Sequence, residues 1–121
     1  MYLTTSPEPI LLHAWVRPGT HINVVGSSYD GPYEIDIELV KHSQFVVDSR
    51  ASALAAGAEL KRAIAAGAVD ESHIHAEIGE ILAGRQSGRE SEQAITVYKS
   101  LGHICQDLAA VNYIKHRMLN E

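Results

Sequence analysis

The 121-residue sequence has little cysteine, no dense cluster of basic residues and no long apolar run. A single thiol, Cys105, cannot form an intrachain disulfide, so the cysteine content does not indicate a secreted, cross-linked scaffold. The net charge is −5 and the Lys and Arg residues are scattered, which argues against a nucleic-acid partner. No segment approaches the roughly 20 apolar residues of a membrane span, and residues 1–9 do not resemble a signal peptide. We expect a cytoplasmic protein with no membrane partner.

The glycine-rich motifs that bind phosphate groups are also absent. The 121 residues contain neither a G-x-G-x-x-G turn nor a P-loop. The nearest glycines, Gly79, Gly84 and Gly88, fall in a predicted helix and the polar loop after it, not at a strand-to-helix turn. We therefore expect that this chain does not build a complete dinucleotide site by itself.

Short runs rich in Val and Ile alternate with helical patterns along the chain. The predicted strands cover residues 2–4, 20–25, 44–47 and 94–98. Asp36 and Ser49 are predicted N-caps, and Gly57 and Gly67 are predicted helix ends. The predicted helices cover residues 37–40, 50–56, 58–66 and 76–83, followed by a long terminal helix over 101–118. This alternation predicts one α/β domain over residues 1–121 with a mainly parallel sheet.

The predicted sheet begins without a preceding helix to cover it. A four-stranded parallel sheet of this kind leaves apolar surface exposed, and such surface is rarely left in water. We therefore expect a homodimer or a partner segment that is missing from this chain. The apolar stripe of the terminal helix is interpreted as core or dimer interface, and Trp15 as a packing residue.

Ligands of open parallel sheets bind at the carboxyl ends of the strands. That rule selects residues 4–7, 24–28 and 98–102 as one candidate rim. Gly26 permits a close backbone approach, Lys99 can neutralise an anion, and the amides that open the terminal helix favour an anion. The alternative interpretation is that the hydroxyl groups cap turns and Lys99 is solvated.

Several ordered motifs carry a family resemblance over nearly the whole chain. They are Trp15-Val16-Arg17-Pro18-Gly19-Thr20-His21-Ile22-Asn23-Val24-Val25-Gly26, Val46-Val47-Asp48-Ser49, Ala76-Glu77-Ile78-Gly79-Glu80-Ile81-Leu82-Ala83-Gly84 and Thr96-Val97-Tyr98-Lys99-Ser100-Leu101-Gly102. Together with Thr4-Thr5-Ser6 and Gln106-Asp107, they resemble the ornithine cyclodeaminase and mu-crystallin family in order and spacing.

The resemblance implies a partial Rossmann-like sheet with flanking helices. Family members are two-domain homodimers in which one domain binds an amino acid or cyclic imine and the other binds NAD(H) or NADP(H). The resemblance begins after the family's glycine-rich half, so it implies the truncated, carboxyl-terminal segment of an NAD(P)-dependent oxidoreductase or cyclodeaminase-like protein. Such a segment is expected to be inactive alone and to bind cofactor weakly or not at all. The alternative is a stand-alone, non-catalytic homodimeric domain that binds a small anion or no ligand.

The resemblance also assigns candidate site residues. The residues that match the family's cofactor-binding segments are Thr4, Thr5, Val24, Val25, Gly26, Ser100 and Leu101. Lys99 matches the segment at the nicotinamide and the substrate carboxylate, and is a catalytic candidate. Ser28 is the second catalytic candidate, since it stands where the cyclodeaminase branch has a catalytic Asp and the reductase-like branch has Ser. Serine cannot act as a carboxylate base, which favours reductase chemistry.

The histidines suggest other sites that the sequence does not favour. His73 and His75 lie near Glu77, but no further ligands follow at spacings that a zinc site requires, so we expect no metal. His21 lies on a predicted strand and is interpreted as a structural hydrogen-bonding residue.

Overall fold

A computed structural model describes residues 6–26 and 31–119. In these ranges four strands form one sheet: β1 (His21–Val24), β2 (Gln44–Val47), β3 (Ile74–Glu77) and β4 (Thr96–Lys99). All neighbours are parallel, in the order β1-β4-β2-β3, so the last strand in the chain lies between the first two. The predicted α/β fold with a parallel sheet is therefore confirmed. The strand predicted at residues 2–4 lies outside the described residues.

The sequence prediction was wrong at β3, because residues 76–83 were assigned to a helix. Ile74 and Ala76 are buried, while His75 and Glu77 are half-buried, which is the two-residue alternation of a strand. The helix begins only at Ile78, where the Glu77 and Glu80 side chains form a reciprocal capping box. The predicted helix start therefore falls two residues inside a strand.

Among the described residues the α-helices are α1 (Ile37–Lys41), α2 (Arg50–Ala56), α3 (Ala58–Ala65), α4 (Ile78–Leu82) and α5 (Ile104–Leu119). Both predicted N-caps are confirmed: the Asp36 carboxylate accepts from the Leu39 amide, and the Ser49 hydroxyl accepts from the Ser52 amide. Gly57 joins α2 to α3, where a Cβ atom would lie only 2.6 Å from the Ala53 carbonyl oxygen. This close approach explains why a glycine separates the two helices.

One face of the sheet is fully closed by the chain itself. Val24, Phe45, Val47 and Val97 project from the strands and have no solvent exposure. They belong to one apolar cluster with residues of α1 and α3, including Leu39, Val40, Leu60 and Ala63. This layer is the hydrophobic core of the described chain.

The opposite face is only partly covered. His21 is exposed and Asn23 and Tyr98 are half-buried, and they line a pocket of about 530 Å³ together with Ile78 and Ile81 of α4. Every residue of α5 is exposed. Its apolar stripe therefore does not form core in this chain, so that part of the prediction was wrong. Trp15 is 67% exposed, which also contradicts its predicted packing role. No helix in the described ranges has the length and apolar character needed to cross a bilayer.

Candidate functional site at the carboxyl edge of the sheet

The parallel strands bring six of the predicted site residues to one edge of the sheet. β1 and β4 are neighbours, with Val24 beside Lys99, and the Ser100 amide donates to the Val24 carbonyl at 3.1 Å. The segment that continues from β1 through Val25 and Gly26 therefore lies beside the segment that continues from β4 through Ser100 and Leu101. The other predicted residues, Thr4, Thr5 and Ser28, lie outside the described residues.

Lys99 does not face solvent. It is 1% exposed, and its Nζ lies 3.2 Å from Oε2 and 3.3 Å from Oε1 of Glu59 on α3, a residue that is equally buried. The interpretation of Lys99 as a solvated side chain is therefore wrong. Its charge already faces a carboxylate of the protein, which pairs a buried cation as burial requires.

Glu34 extends this buried network to the end of β1. Its side chain has no solvent exposure, and Oε2 accepts from the Gly26 amide at 3.0 Å. The Glu34 amide in turn donates to Glu59 Oε1 at 3.2 Å. Glu34, Glu59 and Lys99 therefore link the segment after β1 to the end of β4 through charged and hydrogen-bonding groups inside the protein.

Asp48, which directly follows β2, holds the turn after β4. Its Oδ2 accepts from the amides of Leu101 at 2.7 Å and Gly102 at 2.9 Å, and from the Ser100 hydroxyl at 3.3 Å. The helix α5 begins at Ile104, so the prediction that it opens at Leu101 was wrong. The amides that were expected to attract an external anion donate to an internal carboxylate.

A further carboxylate at the same edge accepts a hydrogen bond from the first amide of α2. Glu77, the last residue of β3, accepts from the Arg50 amide at 2.7 Å, while the Arg50 guanidinium donates to the Ile74 carbonyl at 2.8 Å. The Glu77 amide donates to Glu80, and this bond, assisted by the nearby Arg50, holds the pKa of the Glu80 carboxyl below its ordinary value. The ends of β2 and β3 thus supply carboxylates to backbone amides in the turn after β4 and at the start of α2.

Sequence reasoning missed Glu34 and Glu59, and it gave Asp48 and Glu77 no role in the site. For Glu59 a signal was available, since it lies four residues before Ala63 on the buried side of an otherwise apolar helix face. A charged residue at such a position indicates a buried partner. The identity of that partner depends on the tertiary fold.

The rings of His21, His73 and His75 lie within hydrogen-bonding distance of other groups of the chain. His73 Nε2 lies 2.7 Å from the Val40 carbonyl oxygen, and His75 Nε2 lies 2.9 Å from that of Ser87. Within residues 6–26 and 31–119, no three His, Cys, Asp or Glu side chains form a group that could hold a metal ion. His21 Nδ1 lies 2.7 Å from the Thr96 hydroxyl oxygen, so its predicted structural hydrogen bond is confirmed.

The parallel sheet, its crossover helices and its carboxyl-edge segments define a Rossmann-like α/β fold. The chain belongs to the ornithine cyclodeaminase/mu-crystallin family, whose profile matches residues 2–121. It is 36% identical to the alanine dehydrogenase of Archaeoglobus fulgidus in an alignment that covers 98% of this chain and 37% of that enzyme.

Two solved structures are similar in both fold and sequence. An archaeal alanine dehydrogenase dimer with bound NAD superposes with a TM-score of 0.86 at 36% identity, covering 98% of this chain and 37% of that one. The Thermococcus litoralis Δ1-pyrroline-2-carboxylate reductase in complex with NADH and L-proline superposes with a TM-score of 0.78 at 43% identity, covering 81% and 30%. The chain therefore spans about a third of the length of the relatives it matches.

Proposed function

We propose that this chain is the carboxyl-terminal segment of an NAD(P)-dependent amino-acid or imine oxidoreductase and is inactive by itself. In this proposal residues 1–121 form a truncated dinucleotide-binding-type domain that supplies the nicotinamide side of the site. The observation that carries the proposal is the adjacency of the segments after β1 and β4, since Val24, Val25 and Gly26 lie beside Lys99, Ser100 and Leu101. Ligands of parallel α/β sheets bind outside this edge.

The hydrogen-bond donors at this edge suit the nicotinamide ring of a dinucleotide better than its pyrophosphate. The amides of Gly26, Leu101 and Gly102 donate to Glu34 and Asp48, and the Arg50 amide donates to Glu77. A pyrophosphate would need free amide donors or exposed cations, and these internal bonds take up four of the amides that the described residues place at this edge. A nicotinamide ring has no phosphate charge, so it suits this edge better. The pyrophosphate contacts would then come from residues outside the chain.

The bound cofactor would supply hydride to the carbon of an imine, and the chain would contribute orientation. Reductase chemistry is favoured over cyclodeamination because Ser28 stands where the cyclodeaminase branch of the family has an Asp, and a serine cannot act as a carboxylate base. The names of similar proteins, an alanine dehydrogenase and a Δ1-pyrroline-2-carboxylate reductase, support a substrate class. We propose a small amino acid or its imine as the ligand.

The rest of the enzyme would come from upstream sequence or from a partner chain. Two surfaces support a requirement for such a partner. The half-covered sheet face forms a pocket of mixed polar and apolar lining, and α5 exposes Leu108, Val111, Ile114 and Met118, each more than half accessible. Exposed apolar surface of this extent marks an interaction site in soluble proteins. A complementing segment would cover both surfaces.

The test is an NADH and NADPH titration of the chain, alone and co-expressed with the amino-terminal two thirds of a family member. For the chain alone we expect a Kd weaker than about 0.1 mM, which corresponds to about −5.5 kcal/mol. With the complementing part, we expect tighter binding and NADH oxidation in the presence of a cyclic imino acid. Tight binding by the chain alone would contradict the proposal, as would a stable assembly that does not bind either cofactor.

The exposed stripe of α5 also favours a second candidate, a stand-alone homodimer without catalytic activity. In that case sedimentation would show a stable dimer of the chain that does not associate with the amino-terminal part. Substitution of Leu108 by Glu would then dissociate the dimer, because it places a charge in the centre of the stripe. Asp48 and Glu77 already accept from backbone amides at this edge, which argues against a small-anion ligand for such a dimer.

A further inference from the structure

The turn after β4 is held by one side chain that directly follows a different strand, β2. Asp48 binds Ser100, Leu101 and Gly102 through Oδ2, and its own amide donates to the Lys99 carbonyl at 3.3 Å. The carboxylate is itself oriented, because Oδ1 accepts from the Ser49 amide at 2.9 Å. Since α5 does not bury any of its residues, packing of the following helix does not fix this turn.

The geometry matches that of an anion-binding nest. Two successive amides, those of Leu101 and Gly102, converge on one oxygen, and Gly102 adopts a φ of 86°, in the left-handed region. Successive amides in this kind of turn form the concavities that bind phosphates and carboxylates in other proteins. The bond lengths of 2.7 and 2.9 Å are those of charge-assisted hydrogen bonds.

We propose that Asp48 is a positioning residue whose carboxylate takes the place of an external anion in the turn after β4. It fixes Ser100, Leu101 and Gly102 beside the end of β1, and it keeps anionic ligand groups out of the turn. The substrate carboxylate and the cofactor phosphates must then bind to other residues, and the ligand group that faces this turn is uncharged. The claim that the turn borders the cofactor rests on the proposed function, whereas the occupation of the nest does not.

The first experiment uses the 121-residue chain, amide NMR spectra and acetate as the probe. In Asp48→Ala the Leu101 and Gly102 resonances should shift, and added acetate should return them towards their original positions in a saturable manner. In the unsubstituted chain the same resonances should not respond to acetate. Asp70→Ala is the matched control, since Asp70 also binds a backbone amide, that of Ser72, but lies in a short helical turn before β3.

Two outcomes would overturn the proposal. One is a folded Asp48→Ala chain whose Leu101 and Gly102 amides do not respond to acetate. The other is an unsubstituted chain whose same amides do respond, because the nest would then be open to external anions.

Asp48→Asn keeps an acceptor oxygen, and it is the variant to measure if Asp48→Ala does not fold. Loss of the charge should raise the hydrogen-exchange rate of the Leu101 amide by about tenfold and leave that of Ser72 unchanged. In Asp70→Ala the exchange rate of the Ser72 amide should rise, and that of the Leu101 amide should stay unchanged. An unchanged exchange rate at Leu101 in Asp48→Asn would contradict the positioning role.

The second experiment uses the chain assembled with its amino-terminal complement. Asp48→Ala should raise the Kd for NADH by about tenfold or more, with partial rescue by acetate, and Asp70→Ala should leave it unchanged. An unchanged Kd in Asp48→Ala would overturn the link between the turn and the cofactor. If the unsubstituted assembly does not bind NADH at all, the proposed function fails, while the acetate response still decides whether Asp48 fills the nest.

Discussion

The two faces of the sheet differ in how much of their structure the chain provides. The face that carries Phe45, Val47 and Val97 is closed by α1 and α3 and is fully buried. The face that carries His21 and Tyr98 opens onto a pocket, and α5 exposes its whole apolar stripe. One face therefore completes a core within the described residues, while the other leaves the surface that the proposed complementing segment would cover.

The largest effect is expected on the closed side, at the buried ion pair. Glu59→Gln removes the negative charge that lies 3.2 Å from the Lys99 Nζ in the core. We expect a loss of about 3–5 kcal/mol in the free energy of unfolding, measured by urea denaturation. The double variant Glu59→Leu/Lys99→Met removes both charges and should be more stable than Glu59→Gln. A single variant as stable as the original chain would show that the pair does not hold this face together.

A matched pair of leucine substitutions compares the two regions directly. Leu60 on α3 is 1% exposed and Leu108 on α5 is 61% exposed. Leu60→Ala should cost about 2–5 kcal/mol, because it leaves a cavity in the core. Leu108→Ala should change stability by less than about 0.5 kcal/mol and instead weaken association with the complementing segment. Equal losses of stability in the two variants, again by urea denaturation, would contradict the division into closed and open regions.

The smallest expected effect is a pH dependence at the carboxyl edge. Because its folded-state pKa is lowered, the Glu80 carboxylate stabilises the fold above the ordinary glutamate pKa of about 4.3, and this contribution is lost as pH falls through the folded value. The stability difference between the chain and Glu80→Gln should therefore be present at neutral pH and shrink on acidification. A difference that is constant from pH 7 down to pH 3 would contradict this assignment.

Much of the local structure was predictable from the sequence. The strand Gln44–Val47 and the helix Arg50–Ala56 have the predicted bounds, and the Asp36 and Ser49 caps form the predicted hydrogen bonds. Each of these features depends on residues within a few positions of one another, such as an N-cap and the amide three residues later. The site was predictable only as a set of strand ends, because parallel strands place their carboxyl ends at one edge.

The sequence by itself determined the α/β alternation, the cap positions and the segments that meet at the carboxyl edge of the sheet. The tertiary structure decided that residues 74–77 form a strand, that β4 enters between β1 and β2, and that Lys99 is buried against Glu59. It also decided that the Asp48 carboxylate accepts from the amides of Leu101 and Gly102, which lie 53 and 54 positions further along the chain. The physical reason is the distance in sequence between the residues that interact. Caps and short strands depend on neighbouring residues, whereas buried charge pairs and filled amide nests exist only where crossover connections bring distant residues together.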